Sequence, residues 1–401
     1  MNKPLEGIKV VECAYFVAGP SAGMNLAEWG AEVIKVEPLF GDPGHKRNPD
    51  GTITVRDEYF NLYNRKVKDV AINTKDPRGL EMLYKILEDT DVFLTAFRPQ
   101  ALKKMGLDWE TIHEKFPKIV YASVNGFGEE GPNKDDPGYD TVAFWGRTGL
   151  TQDISSRGGD IVIPPVAFGD LLSGAVLAGA IGTALYQRER TGVADKVSLS
   201  LYGLGLYATT YMLFGVQTGT EYPLSRLEPE LPMMCTYKCA DGQWIYMANV
   251  DHEKHYGDLM RAFGHDDLAE DERYASRDAA QAHRVEFTKM MDAEFGKRTR
   301  PEMEKILSDC DIAYTRINHV KDNIDNPEQA MANDYLMPMT MRDGMEALVP
   351  STPIRYGSAK IDEGIGESPL LGQHTAEVLS GLGYSADDIA GLQSDGVIIA
   401  L

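Results

Sequence analysis

Three groups of residues in this 401-residue chain have the types and spacing to do chemistry. The first is Pro165-Val166-Ala167-Phe168-Gly169-Asp170, where a carboxylate follows a glycine at the junction of an extended segment and an apolar run. A helix starting there carries partial positive charge and free amides, which stabilise an ionised Asp170 and any oxyanion formed beside it. Aspartate is also a common N-cap, and the local sequence alone favours that plainer role. The second group is basic: Arg65, Lys66 and Lys68 precede a strand-like run, Lys75 follows it, and Arg98, Lys103 and Lys104 flank the next helical stretch. In a partly enclosed pocket such cations hold phosphates through charge-assisted hydrogen bonds. On open loops they are merely solvated. The third is Glu37, at the end of the second strand-like run, where a dinucleotide enzyme holds its ribose. The turn before it, Ala14 to Gly23, lacks the Gly-x-Gly-x-x-Gly spacing that lets backbone approach a pyrophosphate, which argues against hydride transfer. Cys235 and Cys239 form a Cys-x3-Cys pair, but no second pair or His-x3-His completes a metal site, so both are expected to be buried reduced thiols in a hairpin.

The elements that must position these groups follow from pattern. Gly7 to Cys13 and Ala31 to Glu37 are short apolar runs suited to buried strands, and Pro20 and Gly30 bracket a helix over Ser21 to Trp29. Further strands are expected at Asp69 to Ile72, Val92 to Thr95 and Ile119 to Val124, alternating with helices such as Pro77 to Glu88 and Ala101 to Met105. This alternation predicts an α/β fold with a doubly wound parallel sheet. From Asp170 to about Gln187 small apolar residues on several faces predict a tightly packed helix. Val197 to Leu201 reads as a strand and Leu204 to Gly215 as one apolar helix. Polar, proline-bearing Tyr222 to Leu231 marks a domain boundary. Beyond it, Met234 to Ala240 and Trp244 to Asn249 flank an Asp241-Gly242 hairpin turn, and helices follow at about Glu253 to Phe263, Gln281 to Phe295 and Pro301 to Ser308. After Pro327 the chain reads as loop until a last helix, Thr375 to Leu382. The expected division is a large first segment over 1–225, a small α+β domain over 226–329, and a return to the large domain over 330–401.

Composition narrows the function classes. With 43% apolar and 25% charged residues the chain has the balance of a folded globular protein rather than a disordered one. A net charge of −21 repels polyanions, so neither nucleic acid nor an anionic membrane surface is an expected partner, and an anionic ligand needs a local basic pocket. No apolar run approaches the roughly 18 to 20 residues of a bilayer span. The stretch Met1 to Gly7 has no signal-peptide pattern, and four scattered cysteines make no disulfide framework, so a cytoplasmic location is expected.

Taken in order, several segments resemble the class III CoA-transferase family, also known by the carnitine and bile-acid CoA-transferase names. They are Pro4-Leu5-Glu6-Gly7-Ile8-Lys9-Val10, Gly30 to Glu37, Asn64-Arg65-Lys66, Gly126-Phe127-Gly128-Glu129-Glu130-Gly131-Pro132, Gly138-Tyr139-Asp140, Gly169-Asp170, Arg190-Thr191-Gly192 and the tail Ser368 to Thr375. Each is weak alone, but their order over essentially the whole chain is specific. The resemblance implies a large doubly wound domain formed by both chain ends, a smaller domain, and two subunits interlocked as a homodimer. It further implies that Asp170 is the nucleophile and that Val17, Ala18, Phe97, Arg98, Lys104, Met105 and Tyr139 receive coenzyme A, with Lys75 at another contacting position. Coenzyme A would arrive as the acyl-CoA substrate, with no permanently bound cofactor and no metal, and the partners would be an acyl-CoA and a small carboxylic acid.

The implied reaction passes through an aspartyl-acyl anhydride and an aspartyl-CoA thioester, so no ATP is needed. The main rival on the same fold resembles α-methylacyl-CoA racemases, which carry Gly-His-Asp where this chain has Gly138-Tyr139-Asp140. A phenol with an ordinary pKa of about 10 is a poor base at neutral pH. A catalytically idle CoA-binding protein would need no carboxylate at position 170. Formyl- and oxalyl-type transferases carry a glycine-rich loop where this chain reads Arg226 to Pro232, so oxalate does not fit. That region resembles relatives serving 2-hydroxyacids, such as aryl-lactate and 2-hydroxyisocaproate CoA-transferases, which take CoA from an enoyl-CoA. Carnitine, a bile acid or a dicarboxylate are the alternative acceptors within the family resemblance.

Overall fold

The computed structural model describes residues 3–54, 57–357 and 365–401. In chain order, β1 (Lys9–Cys13), α1 (Ala18–Glu28), β2 (Glu32–Glu37), α2 (Glu58–Asn64), β3 (Lys68–Ile72), α3 (Pro77–Leu87), β4 (Val92–Thr95), α4 (Pro99–Met105), α5 (Trp109–Lys115) and β5 (Val120–Asn125) give the alternation expected of a parallel sheet. A π-helical turn (Asp140–Gly146) and α6 (Leu150–Asp153) lead to α7 (Phe168–Thr191), then β6 (Lys196–Ser200), α8 (Leu201–Ala208) and α9 (Thr210–Gln217). The apolar stretch read as one helix over Leu204 to Gly215 is thus two, broken at Thr209, whose side chain turns back to the Gly205 carbonyl.

Contacts divide the chain into two units. One comprises Met1–Leu150, Pro164–Leu213 and Glu328–Leu401; the other comprises Thr151–Ile163 and Phe214–Pro327. Contacts set the border of the second unit at Phe214 and add Thr151–Ile163 to it. Arg157 explains the addition, because its guanidinium donates to the carbonyls of Glu221 and Pro223.

The second unit holds β7 (Thr236–Lys238), β8 (Trp244–Met247), α10 (His252–Phe263), α11 (Arg277–Ala282), α12 (Arg284–Phe295), α13 (Arg300–Asp309), β9 (Tyr314–Arg316) and α14 (Asp322–Asp325). β7 and β8 pair antiparallel around the Asp241-Gly242 turn, where Gly242 has φ of +81°. Tyr237, Ile245, Tyr256, Phe287 and Phe295 are fully buried between this small sheet and its helices.

The stretch after Pro327 is not loop up to a last helix. It forms α15 (Glu328–Ala332), the hairpin β10 (Leu336–Thr340) and β11 (Glu346–Pro350), α16 (Thr375–Gly381), a further helix α17 (Ala386–Ser394) and β12 (Ile398–Ile399). The seven-stranded sheet of the first unit runs β12-β3-β2-β1-β4-β5-β6, all parallel except β12, which pairs antiparallel with β3. Successive residues of β1 face opposite cores: Val10 packs with Leu26, Leu177 and Ile181 of α1 and α7, and Val11 with Leu83 and Ile86 of α3. Helices therefore cover both faces, and the buried strands read as continuous apolar runs for that reason.

Contrary to the expectation that no run is long enough, α7 is long and apolar enough to span a bilayer by length and composition. Its apolarity comes largely from Gly and Ala, whose small size serves close packing. A Cβ on Gly174 would lie 2.0 Å from Ser21 Oγ of α1.

Candidate active site

The strand order reverses direction between β1 and β4, and a crevice opens at their carboxyl ends, the place where open α/β sheets bind ligands. A cavity of about 390 Å³ lies there, walled by the loops after β1, β4 and β5, with Asp170 among its lining residues. Thr95 shapes the second loop: its hydroxyl donates to the Cys13 carbonyl at 2.8 Å and accepts from the Phe97 amide at 3.2 Å. Phe97 in turn stacks edge-on against Tyr15, with ring centroids 4.6 Å apart. On the far wall the backbones of Gly126 and Gly138 touch, since a Cβ on Gly126 would lie 2.4 Å from the Gly138 Cα. That contact places Tyr139 and Asp140 beside the end of β5.

Asp170 is the third residue of α7 rather than its cap, because Ala167 occupies the N-cap with φ of +63°. The N-cap expectation is therefore corrected. A left-handed alanine at a helix entrance is strained, and such strain persists only where its surroundings enforce it. Here buried Asp140 accepts from the Gly169 amide at 3.0 Å and fixes the turn. Gly169 has no room for a side chain, its Cβ position being 2.4 Å from Phe144 Cγ and 2.5 Å from Asp140 Oδ1. Asp170 itself makes no side-chain hydrogen bond or ion pair among the described residues. Burial, reinforced by the negative charge of Asp140, raises its carboxyl from an ordinary 3.8 to about 7. Burial likewise raises Asp140, against the pull of the Gly169, Phe168 and Ala167 amides.

Of the residues expected to receive coenzyme A, Val17, Ala18, Phe97, Arg98, Met105 and Tyr139 line this cavity together with Asp170. Lys75 and Lys104 do not; both are exposed, Lys75 in the loop after β3 and Lys104 on α4 next to Met105. The grouping of Arg65 and Lys68 as phosphate ligands is corrected. Arg65 is buried and bonded to Glu28 and to the Leu62 and Pro350 carbonyls, while Lys68 pairs with Glu32 and Glu377. Glu37 is buried too, accepting from the Asp42 amide and meeting His45. His252 is buried, with Nε2 2.6 Å from the Tyr274 carbonyl. Phe16 and Lys134 also line the cavity but carried no signal in the sequence. Cys235 and Cys239 are buried free thiols, and among the described residues no three metal-binding side chains cluster.

A carboxylate raised by burial stands at a strained helix entrance beside a switch-point crevice edged by Arg98 and Lys134. The chain belongs to CoA-transferase family III, whose model matches residues 5–375, and it is a class III CoA-transferase. It is 36% identical to an (R)-2-hydroxy-4-methylpentanoate CoA-transferase of Clostridioides difficile, over 98% of this chain and 99% of that one. It is 35% identical to a cinnamoyl-CoA:phenyllactate CoA-transferase of Clostridium sporogenes, over 97% of this chain and 96% of the relative. Among solved structures it resembles a CAIB/BAIF family protein from Brucella suis with a TM-score of 0.79 and 28% identity, covering 95% of this chain and all of the other.

Proposed function

We propose that this enzyme moves CoA from an enoyl-CoA to an (R)-2-hydroxyacid, with Asp170 as the covalent nucleophile. The observation that carries the reading is an unpartnered, desolvated carboxylate facing the cavity, since loss of hydration makes a carboxylate more nucleophilic. An Asp170 oxygen attacks the thioester carbonyl, the C–S bond breaks, and CoA leaves as thiolate from an aspartyl-acyl anhydride. The thiolate then attacks the aspartyl carbonyl and expels the donor acid, leaving aspartyl-CoA. The acceptor carboxylate reverses both steps, first forming its own anhydride with Asp170 and then taking CoA back as the new thioester. Every bond broken has a counterpart formed, and the anhydride keeps the thioester's energy.

Coenzyme A would thread past Val17, Ala18, Phe97, Met105 and Tyr139, with Arg98 and, outside the cavity, Lys104 and Lys75 meeting its phosphates. Exposed apolar side chains on α7 to α9, including Tyr207 and Tyr211, support burial in a homodimer, for which we propose the interlocked form and a cytoplasmic location. The acceptor class rests on the names of the two bacterial relatives. Tyr139 in place of a histidine disfavours the racemase reaction.

Incubation with cinnamoyl-CoA or isocaprenoyl-CoA, followed by hydroxylamine or borohydride and mass mapping, tests the nucleophile. The adduct is expected on Asp170, and exchange that proceeds with this residue unlabelled would reject it. Assays with several (R)-2-hydroxyacids test the acceptor, and transfer confined to dicarboxylates or carnitine would refute that part.

A further inference from the structure

Phe16 is the one bulky residue of the cavity wall with a left-handed backbone, φ being +60°. Its neighbours hold it from both sides. Lys35, fully buried in the middle of β2, donates to the Ala14 carbonyl at 3.0 Å, to Glu12 at 3.0 Å and to Asp42 at 3.1 Å. Asp42, also fully buried, uses its other oxygen to accept from the Phe16 amide at 3.1 Å and the Gly44 amide at 2.7 Å. Gly44 packs under Phe16, its Cβ position lying 3.6 Å from the Phe16 Cα. Burial opposes the charge on Lys35, but Glu12, Asp42 and Glu37 outweigh it and the ammonium stays protonated. The outcome is a Phe16 ring meeting Tyr139 edge-on, with centroids 6.1 Å apart and planes at 83°.

We infer that Lys35 and Asp42 are positioning residues of the acyl-CoA site, which act through the loop Ala14 to Val17 to fix Phe16 opposite Tyr139. A bulky side chain in the left-handed region is retained only where contacts over-determine it, and here those contacts converge on one cavity-wall residue. The inference rests on the proposed use of this cavity for coenzyme A. It adds that a charged cluster with no access to the ligand sets the affinity for it.

The test uses the full-length enzyme, with the Kd for CoA measured by calorimetry beside KM and kcat for acyl-CoA transfer. Asp42→Ala is expected to raise Kd and KM about tenfold with kcat changed less than about threefold, the signature of lost uniform binding. Asp42→Asn keeps an oxygen for the Phe16 and Gly44 amides but turns its NH2 toward the Lys35 ammonium, so it is expected to recover only part of the loss, with Kd between those of the parent and Asp42→Ala. Phe16→Gly takes the left-handed backbone without strain and folds whether or not Asp42→Ala does. It is expected to reproduce the tenfold rise, and adding Asp42→Ala to it to change Kd less than about twofold, as coupled sites require. A Kd within about twofold of the parent in Phe16→Gly, or single effects that multiply in the double variant, overturns the inference. A parent enzyme that binds CoA without transferring it sinks the mechanism above and leaves this inference to the Kd values; one that binds no CoA overturns both.

Discussion

Replacing Asp170 with Asn keeps the shape of the side chain and removes its charge, so it measures what the site spends on keeping a carboxylate dry. Burial and Asp140 raise the group from 3.8 to about 7, which corresponds to about 4 kcal/mol against the ionised form. Asp170 lines a cavity and retains some access to water, so about 2–4 kcal/mol is the working range. Because the folded pKa lies above the unfolded one, the folded chain keeps a proton that the unfolded chain has lost between those two values. Its contribution to stability therefore falls as pH rises through that window and is flat above about 7. The advantage of Asp170→Asn over the parent should widen by about 1–3 kcal/mol between pH 5 and pH 8, which is about 1–4 °C in Tm for a protein of this size. Thermal unfolding of both proteins at the two pH values reads it directly, and CoA transfer is measured on the same samples. A difference that stays constant or narrows with pH refutes the desolvated carboxylate, and undiminished transfer by the variant refutes the nucleophile.

Two further outcomes follow from the geometry. Gly169→Ala must push a methyl into Phe144 and Asp140, which costs about 1–3 kcal/mol of stability. By displacing the neighbouring nucleophile it should lower kcat about a hundredfold, and thermal unfolding with kinetics checks both. His45 is held between Asp57 at 3.0 Å and Glu37 at 3.2 Å, and although burial opposes its charge these partners raise it to about 9. Its stabilisation, at most about 3 kcal/mol, is complete below about 6.5 and lost as pH rises through 9. A His45→Gln variant should therefore show a flatter decline in urea midpoint between pH 6.5 and 9 than the parent, and parallel declines would contradict the charged histidine.

What the sequence disclosed depended on whether the signal was local. Val92–Thr95 is four buried residues that follow directly on the polar Asp89-Thr90-Asp91, and the strand falls where the pattern places it. Pro77 opens α3 because the missing amide hydrogen costs nothing in a first turn, and Asp76 caps it by accepting from the Arg78 amide. The hairpin β10–β11 was illegible because Pro338 and Pro350 lie inside it, at positions tolerable in a two-stranded sheet with open edges. β12 is two residues long, too short for any periodicity. In the site, Gly169-Asp170 and the loop after β1 could be singled out as linear motifs. The ties of Lys35 to Glu12 and Asp42 could not, since a lysine inside a strand looks solvent-facing until its partners are folded around it.

The same distinction explains how a chain of net charge −21 accommodates an anionic thioester. Its basic residues separate by what they meet. Lys35 and Arg65 are buried and neutralised by carboxylates, and Arg188 and Lys196 are paired with Asp91 and Glu129. None of these retains a field for a ligand. Arg98 and Lys134 form no ion pair among the described residues, line the cavity, and stand on loops where a phosphate can approach. Free cations inside an otherwise negative surface attract an anion only at short range, because the screening length is about 8 Å at physiological salt. If the crevice holds coenzyme A as proposed, affinity comes mainly from contact inside it, and the placement of Phe16 and Tyr139 then matters more for binding than the overall charge.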